Sequence, residues 1–239
     1  MNNKIEEEAF RYVKANKKLI KDKFVGSVKF NSNNNPIFMF MAGSPGAGKT
    51  EFSKNLIQRL ENKVLLNGVV RIDADEIREM LPGYEGKNSY LFQKACSKGV
   101  EMLFDFVLKK KYNTIIDGTF SHFNVAHKNV KRIVDKGYKV YVVYKYFDPA
   151  VAWGFTNLRE KEEGRKITKQ VFIDALFKAK ENVNRIKEIF GDKVEVWLVE
   201  SILKSDQSVI NEKIHFNINN IDNYLKIKYN IKDINEILK

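Results

Sequence analysis

The sequence is poor in the residues that staple, ligate or span. It has one cysteine, Cys96, in 239 residues, which excludes an intramolecular disulfide framework and fits a reducing compartment. Its three histidines, His122, His127 and His215, have no cysteine or histidine companions at ligand spacing, so no zinc-type cluster is expected. Thirteen glycines and four prolines exclude a fibrous or Gly/Pro-rich low-complexity chain. No apolar run approaches the roughly 20 residues that a membrane-spanning helix needs. The opening MNNKIEEEAF is acidic and amphipathic, unlike a secretory signal. A soluble cytoplasmic protein without membrane contact is expected. No G-x-S-x-G nucleophile motif and no internal repeat occurs.

What is present is enough to fold. Hydrophobic residues are 44% and aromatics 12%, and a chain of this size buries roughly three quarters of its extended surface. Lys and Arg number 42 against 30 Asp and Glu, a net charge of +12. That excess favours anionic partners (nucleotides, nucleic acid, acidic surfaces) without choosing among them. The basic residues are scattered except for Lys109-Lys110-Lys111, at the end of a helical stretch, where cations complement the helix dipole.

Helical spacing covers residues 4–24, followed by an Asn-rich loop over 31–36. PIFMFMA reads as a strand buried on both faces. A glycine-rich turn leads to a helix over 50–60. Strands are expected at 68–72, 112–116, 138–147 and 194–199, alternating with helical stretches at 75–80, 88–110, 125–136, from Pro149 onward, and 168–190. Thr168 is the expected N-cap of the last of these. Such alternation predicts parallel strands and an α/β fold: a P-loop NTPase three-layer sandwich with a mostly parallel sheet of five or six strands. We divide the chain into an N-terminal helical extension (1–35), a core (36–201) with a lid around 153–168, and a C-terminal extension (202–239) packed on or beside the core and read as loosely packed and helical.

The strongest motif is Gly43-Ser44-Pro45-Gly46-Ala47-Gly48-Lys49-Thr50, a full G-x-x-x-x-G-K-[ST] match between a strand and a helix. Its glycines let backbone N–H groups curl around phosphate oxygens at a helix N-terminus. Lys49 would reach the β- and γ-phosphates, and the Thr50 hydroxyl would ligate Mg²⁺. Two carboxylates, Asp73 and Asp75, follow the second strand, on the rim where open α/β sheets bind ligands. Phosphoryl transfer needs one carboxylate to accept a proton, and another often orients Mg²⁺ or its waters. Either aspartate could instead cap the next helix. Asp117 and Thr119 end the third strand on the same rim, with Thr119 placed to contact an acceptor. Arg159 and Arg165 flank a charged turn between two helices, where lid arginines stabilise charge on a transferring phosphate. Cys96 reads as core.

The ordered set GSPGAGKT (43–50), IDADEIREMLPGY (72–84), DGT (117–119), GYKVYVVYKYFDP (137–149) and REKEEGRKIT (159–168) resembles the zeta toxin family of P-loop kinases across residues 36–200. The resemblance implies phosphorylation of a sugar hydroxyl of UDP-N-acetylglucosamine by ATP and Mg²⁺, with a small helical antitoxin as partner. It makes Asp75 the base, which leaves Asp73 as the carboxylate read above as orienting Mg²⁺ through water. It further implies that Glu101, Asp117 and Thr119 contact substrate and that Arg159 and Arg165 clamp the phosphates. Three positions depart from the usual pattern, all on the acceptor side: Leu81 stands for histidine, Asp117 for glutamate and Ser121 for a basic residue. Alternative readings are a kinase for another metabolite or a nucleic-acid end, or a nucleotide-dependent binding module without acceptor chemistry. No aromatic-rich basic stripe favours nucleic acid.

Overall fold

The computed structural model describes residues 2–26, 35–62, 68–203 and 210–238. Most of the expected Asn-rich loop (31–34) lies outside them. At the centre is β1 (Ile37–Ala42), apolar throughout because a strand lies on each side of it and both its faces are covered. Among the described residues, β2 (Val70–Asp73), β3 (Thr114–Asp117), β4 (Lys139–Tyr146), β5 (Val194–Leu203) and β6 (Ile210–His215) join it in the order β2-β3-β1-β4-β5-β6. The first five strands are parallel, so each connection is a helical crossover.

On one face, α3 (Lys49–Asn62) sets Phe52 against Met39, Met41, Ile115, Val143 and Val199. The larger cluster fills the other face. It gathers α4 (Ala74–Glu79), α5 (Gln93–Lys110), α6 (Phe123–Val134) and α8 (Lys169–Phe190) over Phe38, Phe40, Ile72, Val140, Val142 and Val196. The N-terminal pair α1 (Asn2–Ala15) and α2 (Lys17–Val25) belongs to this second cluster through Ala9, Val13 and Ile20. Gly99 marks close packing of α5 on α4: a Cβ there would meet the Ile77 side chain at 3.0 Å.

Sequence periodicity places the helices well, and the expected Thr168 cap forms. The Thr168 hydroxyl accepts from Val171 N at the start of α8, and Asp148 accepts from Ala150 N at the start of α7 (Pro149–Glu163). The C-terminal expectation is corrected. Residues 202–203 continue β5, and β6 pairs with it antiparallel, Ser201 opposite Glu212. INEKIH has the polar content of an edge strand, so composition hides it. After β6, Ile218 and Ile221 are buried in the main core. A capping box at Asn230 and Asp233 starts α9 (Ile231–Ile237), which buries Ile234 against the bases of α7 and α8. Among the described residues no helix is long and apolar enough to cross a membrane.

Candidate active site

The phosphate loop joins β1 to α3 at the carboxyl end of the sheet. Gly46 has φ +72°, and a Cβ on it would collide with the Ala152 carbonyl oxygen of α7. Only glycine lets the loop lie this close to the lid helix. Lys49 Nζ donates to Ser44 O at 2.6 Å, folding back over the loop. Desolvation there pulls its pKa down to about 8, while Asp117 opposes the fall and Arg165 adds to it. The ammonium is held where it lacks full compensation, which suits a group awaiting an anion.

Strand register assembles the carboxylates. In the β2–β3 pair Asp73 stands opposite Asp117, so two side chains 44 positions apart in sequence share one rim. Arg71, two residues earlier on β2, binds them together. Its Nη2 donates to Asp73 Oδ2 at 2.5 Å and to Asp117 Oδ2 at 2.9 Å, its Nε donates to Ser53 Oγ at 3.0 Å, and its Nη1 pairs with Glu76. One guanidinium does not balance this crowd. Burial, with Asp75 and Asp117 nearby, pushes Asp73 up to about 6, against the pull of the Asp75 amide and Arg71. Asp73 also caps α4, accepting from Asp75 N at 2.8 Å, so its capping and rim positions coincide.

Asp75, in the first turn of α4, carries a guanidinium on each oxygen. Arg78 Nη1 pairs with Oδ1, and Arg165 Nη1, from the turn between α7 and α8, pairs with Oδ2. Burial alone would raise this carboxyl; the two arginines overcome it and hold it below the usual range. Arg165 therefore bridges from the turn between α7 and α8 to Asp75. Arg159 does not: its Nε donates to Glu163 on its own helix at 2.7 Å, and its side chain is 45% exposed. Thr119 sits beside the loop, its carbonyl accepting from Gly43 N at 3.2 Å and its hydroxyl 2.8 Å from Ser121 Oγ. The next residue, Phe120, takes φ +60°, held by Asn182 Nδ2 donating to its carbonyl and by its ring against Phe40. A strained non-glycine residue at the rim is a feature of ligand clamps. Glu101 is not brought to this group. It is exposed on α5 and pairs with Lys98 at 2.7 Å.

Among the described residues no group of three or more His, Cys, Asp or Glu forms a metal cage. The donor set instead fits Mg²⁺, which enters with phosphates and keeps several waters. Thr50 opens α3. Ser53 Oγ lies 3.0 Å from Thr50 O and 3.2 Å from Asp117 Oδ2, which puts the Asp73–Asp117 rim next to that turn.

Arg71 and Arg78 are the residues that sequence reading misses. Arg71 carries a signal, a charged side chain inside the buried strand VRID. Arg78 stands three residues after Asp75, which places both on one helix face.

The zeta toxin family model matches residues 21–214. Toxin PezT of Streptococcus pneumoniae serotype 4 is 30% identical over 138 residues, a match that takes in 55% of this chain and 53% of PezT. The chain thus spans about half the length of that curated relative. The solved PezAT chromosomal toxin-antitoxin system of Streptococcus pneumoniae aligns with TM-score 0.61 at 21% identity, over 85% of this chain and 80% of that one. The AvrRxo1-ORF1:AvrRxo1-ORF2 structure with ATP aligns with TM-score 0.60 at 11% identity, over 96% and 74%. At these identities the structural likeness speaks for the fold, the P-loop NTPase sandwich. The family match covers most of the sequence, including the phosphate loop, both aspartate-bearing strands and the turn between α7 and α8, and on that match the chain belongs to the zeta toxin family.

Proposed function

We propose that this protein is an ATP-dependent phosphotransferase of the zeta toxin type, which phosphorylates a hydroxyl of a small acceptor, with UDP-N-acetylglucosamine the favoured acceptor. The observation that carries the reading is the convergence on Asp75 of a lid arginine, Arg165, beside the phosphate loop and Lys49. A module that only bound nucleotide would need the loop but no carboxylate under a lid arginine.

In this reading the triphosphate lies on the loop amides at the N-terminus of α3. Lys49 leaves Ser44 O for the β- and γ-phosphates. Arg165 exchanges Asp75 for the γ-phosphate, which frees Oδ2. The acceptor hydroxyl oxygen attacks the γ-phosphorus, the bond to the bridging oxygen breaks, and ADP leaves with that electron pair. The hydroxyl proton passes to Asp75. Lys49 and Arg165 face the charge that spreads over the phosphoryl oxygens. Arg159 can join them by releasing Glu163. In the same reading Thr119 contacts the acceptor, and Asp117 holds the Arg71 network beside it. Thr50 and, through water, Asp73 would hold Mg²⁺; the ion supplies charge neutralisation at the phosphates when bound. A small helical antitoxin is proposed as partner, supported by the toxin-antitoxin system to which the PezAT neighbour belongs.

The test is transfer of label from γ-labelled ATP with Mg²⁺ to UDP-N-acetylglucosamine, run beside Asp75→Asn. Label on the sugar nucleotide, reduced at least about 100-fold in the variant, supports both acceptor and base. Undiminished transfer by Asp75→Asn would refute the base. Transfer only to other compounds of a metabolite extract would refute the acceptor.

A further inference from the structure

Asp75 is held by two arginines of different standing. Arg165 comes from the turn between the lid helices and keeps a 20% exposed side chain. Arg78 comes from α4 itself, and its side chain is 6% exposed. An arginine so buried needs several partners, and Arg78 has Asp75 Oδ1, Gln93 Oε1 at the start of α5 at 3.2 Å, and the Cys96 thiol of α5. Its Nε is buried without a partner. The guanidinium is thus kept at an incompletely satisfied position, a cost that packing alone would not select. What it gains there is one fixed oxygen of Asp75.

We propose that Arg78 is a positioning residue for Asp75: it anchors Oδ1 to the α4–α5 junction, so that the carboxylate keeps its aim when Arg165 departs for the phosphate. This rests on the kinase reading of the same site. Without Arg78, departure of Arg165 leaves the Asp75 side chain free to rotate about its χ angles. The lone-pair direction towards the acceptor is then lost, although nucleotide binding on the loop is not. Displacement of a reacting group by about 1 Å costs on the order of 100-fold in rate. Two oxygens with two separate guanidiniums, one fixed and one exchangeable, divide orientation from phosphate contact.

Arg78→Met, Arg78→Lys and Gln93→Ala test this in the full chain. Gln93 is exposed, so its truncation leaves the fold intact even if Arg78→Met fails to fold. Expected are a fall in kcat of about 100-fold for Arg78→Met, partial recovery in Arg78→Lys, and a fall of about 3- to 10-fold for Gln93→Ala, from its neutral hydrogen bond to the anchor. KM for ATP should stay within about twofold throughout, since no loop contact changes. Unchanged kcat in Gln93→Ala and Arg78→Lys, or a rise in KM for ATP that matches the loss in kcat, overturns the proposal. A second readout does not depend on the acceptor. In crystals of Gln93→Ala and Arg78→Lys with a non-hydrolysable ATP analogue, Asp75 should leave the rotamer it holds in the unmodified protein with the same analogue. An unmoved Asp75 overturns the positioning role, whether or not any acceptor is phosphorylated. Absence of transfer by the unmodified protein to any acceptor, with Asp75 displaced in the variants, would instead sink the kinase reading alone.

Discussion

In the proposed reading, Lys49 serves nucleotide binding against the interest of the fold. Its ammonium is desolvated by the loop, and its pKa falls from an ordinary 10.5 to about 8. A folded pKa below the unfolded one means that the penalty is fully present below pH 8. It fades as pH rises from 8 to 10.5, because the unfolded chain binds the extra proton. Removing the charge should therefore stabilise the unliganded protein. We expect Lys49→Met to gain about 2 kcal/mol at pH 7, the gross shift less one lost hydrogen bond, and to show little gain at pH 10.5. The same variant should lose nucleotide affinity. Urea unfolding at the two pH values and a fluorescent-nucleotide titration check both; a less stable Lys49→Met at pH 7 would contradict the desolvation argument. The contiguous loop was readable in the sequence because phosphate binding needs neighbouring residues at one turn. Arg71 and Arg78 were not, because their roles depend on the pairing of Asp73 with Asp117 and on burial against α5, neither of which a linear pattern states.

At the scale of elements, the phosphate loop packs directly against α7 and α8. Ala47 lies in one apolar cluster with Ala152 of α7, Phe172 and Ile173 of α8 and Ile234 of α9. Gly46 touches the α7 backbone and stands at φ +72°. Gly46→Ala should therefore both strain the loop and push α7 away. The cost expected is about 2–4 kcal/mol of stability, from a positive-φ side chain and overpacking together, with nucleotide affinity reduced at least about tenfold. Thermal melting with and without Mg·ATP reads both, and a variant with unchanged melting would show that the loop can move off α7 freely. Strong periodicity made the parallel core legible, since buried strands and amphipathic helices must bury apolar faces. The edge strand β6 escaped for the complementary reason. Its ladder hydrogen bonds to β5 hold it, and its side chains need not be apolar.

At the scale of the whole molecule, the N-terminal helices α1 and α2 pack into the main core among the described residues. Ile20 of α2 is fully buried, and with Ala9 and Val13 it joins the cluster that contains the sheet residues Phe38, Ile72 and Val140. Two other clusters lie across the sheet and under the lid, and each holds one of the two tryptophans at its margin: Trp197 on β5 and Trp153 on α7. If the helical pair shares the cooperative core, a cavity at Ile20 must be felt at both tryptophans. Ile20→Ala should cost about 2–5 kcal/mol. It should move the unfolding midpoints seen by far-ultraviolet circular dichroism and by tryptophan fluorescence by the same amount, with an unchanged denaturant slope. An independent appendage predicts something else: an early loss of helical signal at low urea, with the fluorescence transition where it was. The buried position of Ile20 decides for the first outcome. Neither α1 nor α2, at 14 and 9 residues, is long enough to be a stable isolated helix in water, so their order must come from the core they help to fill.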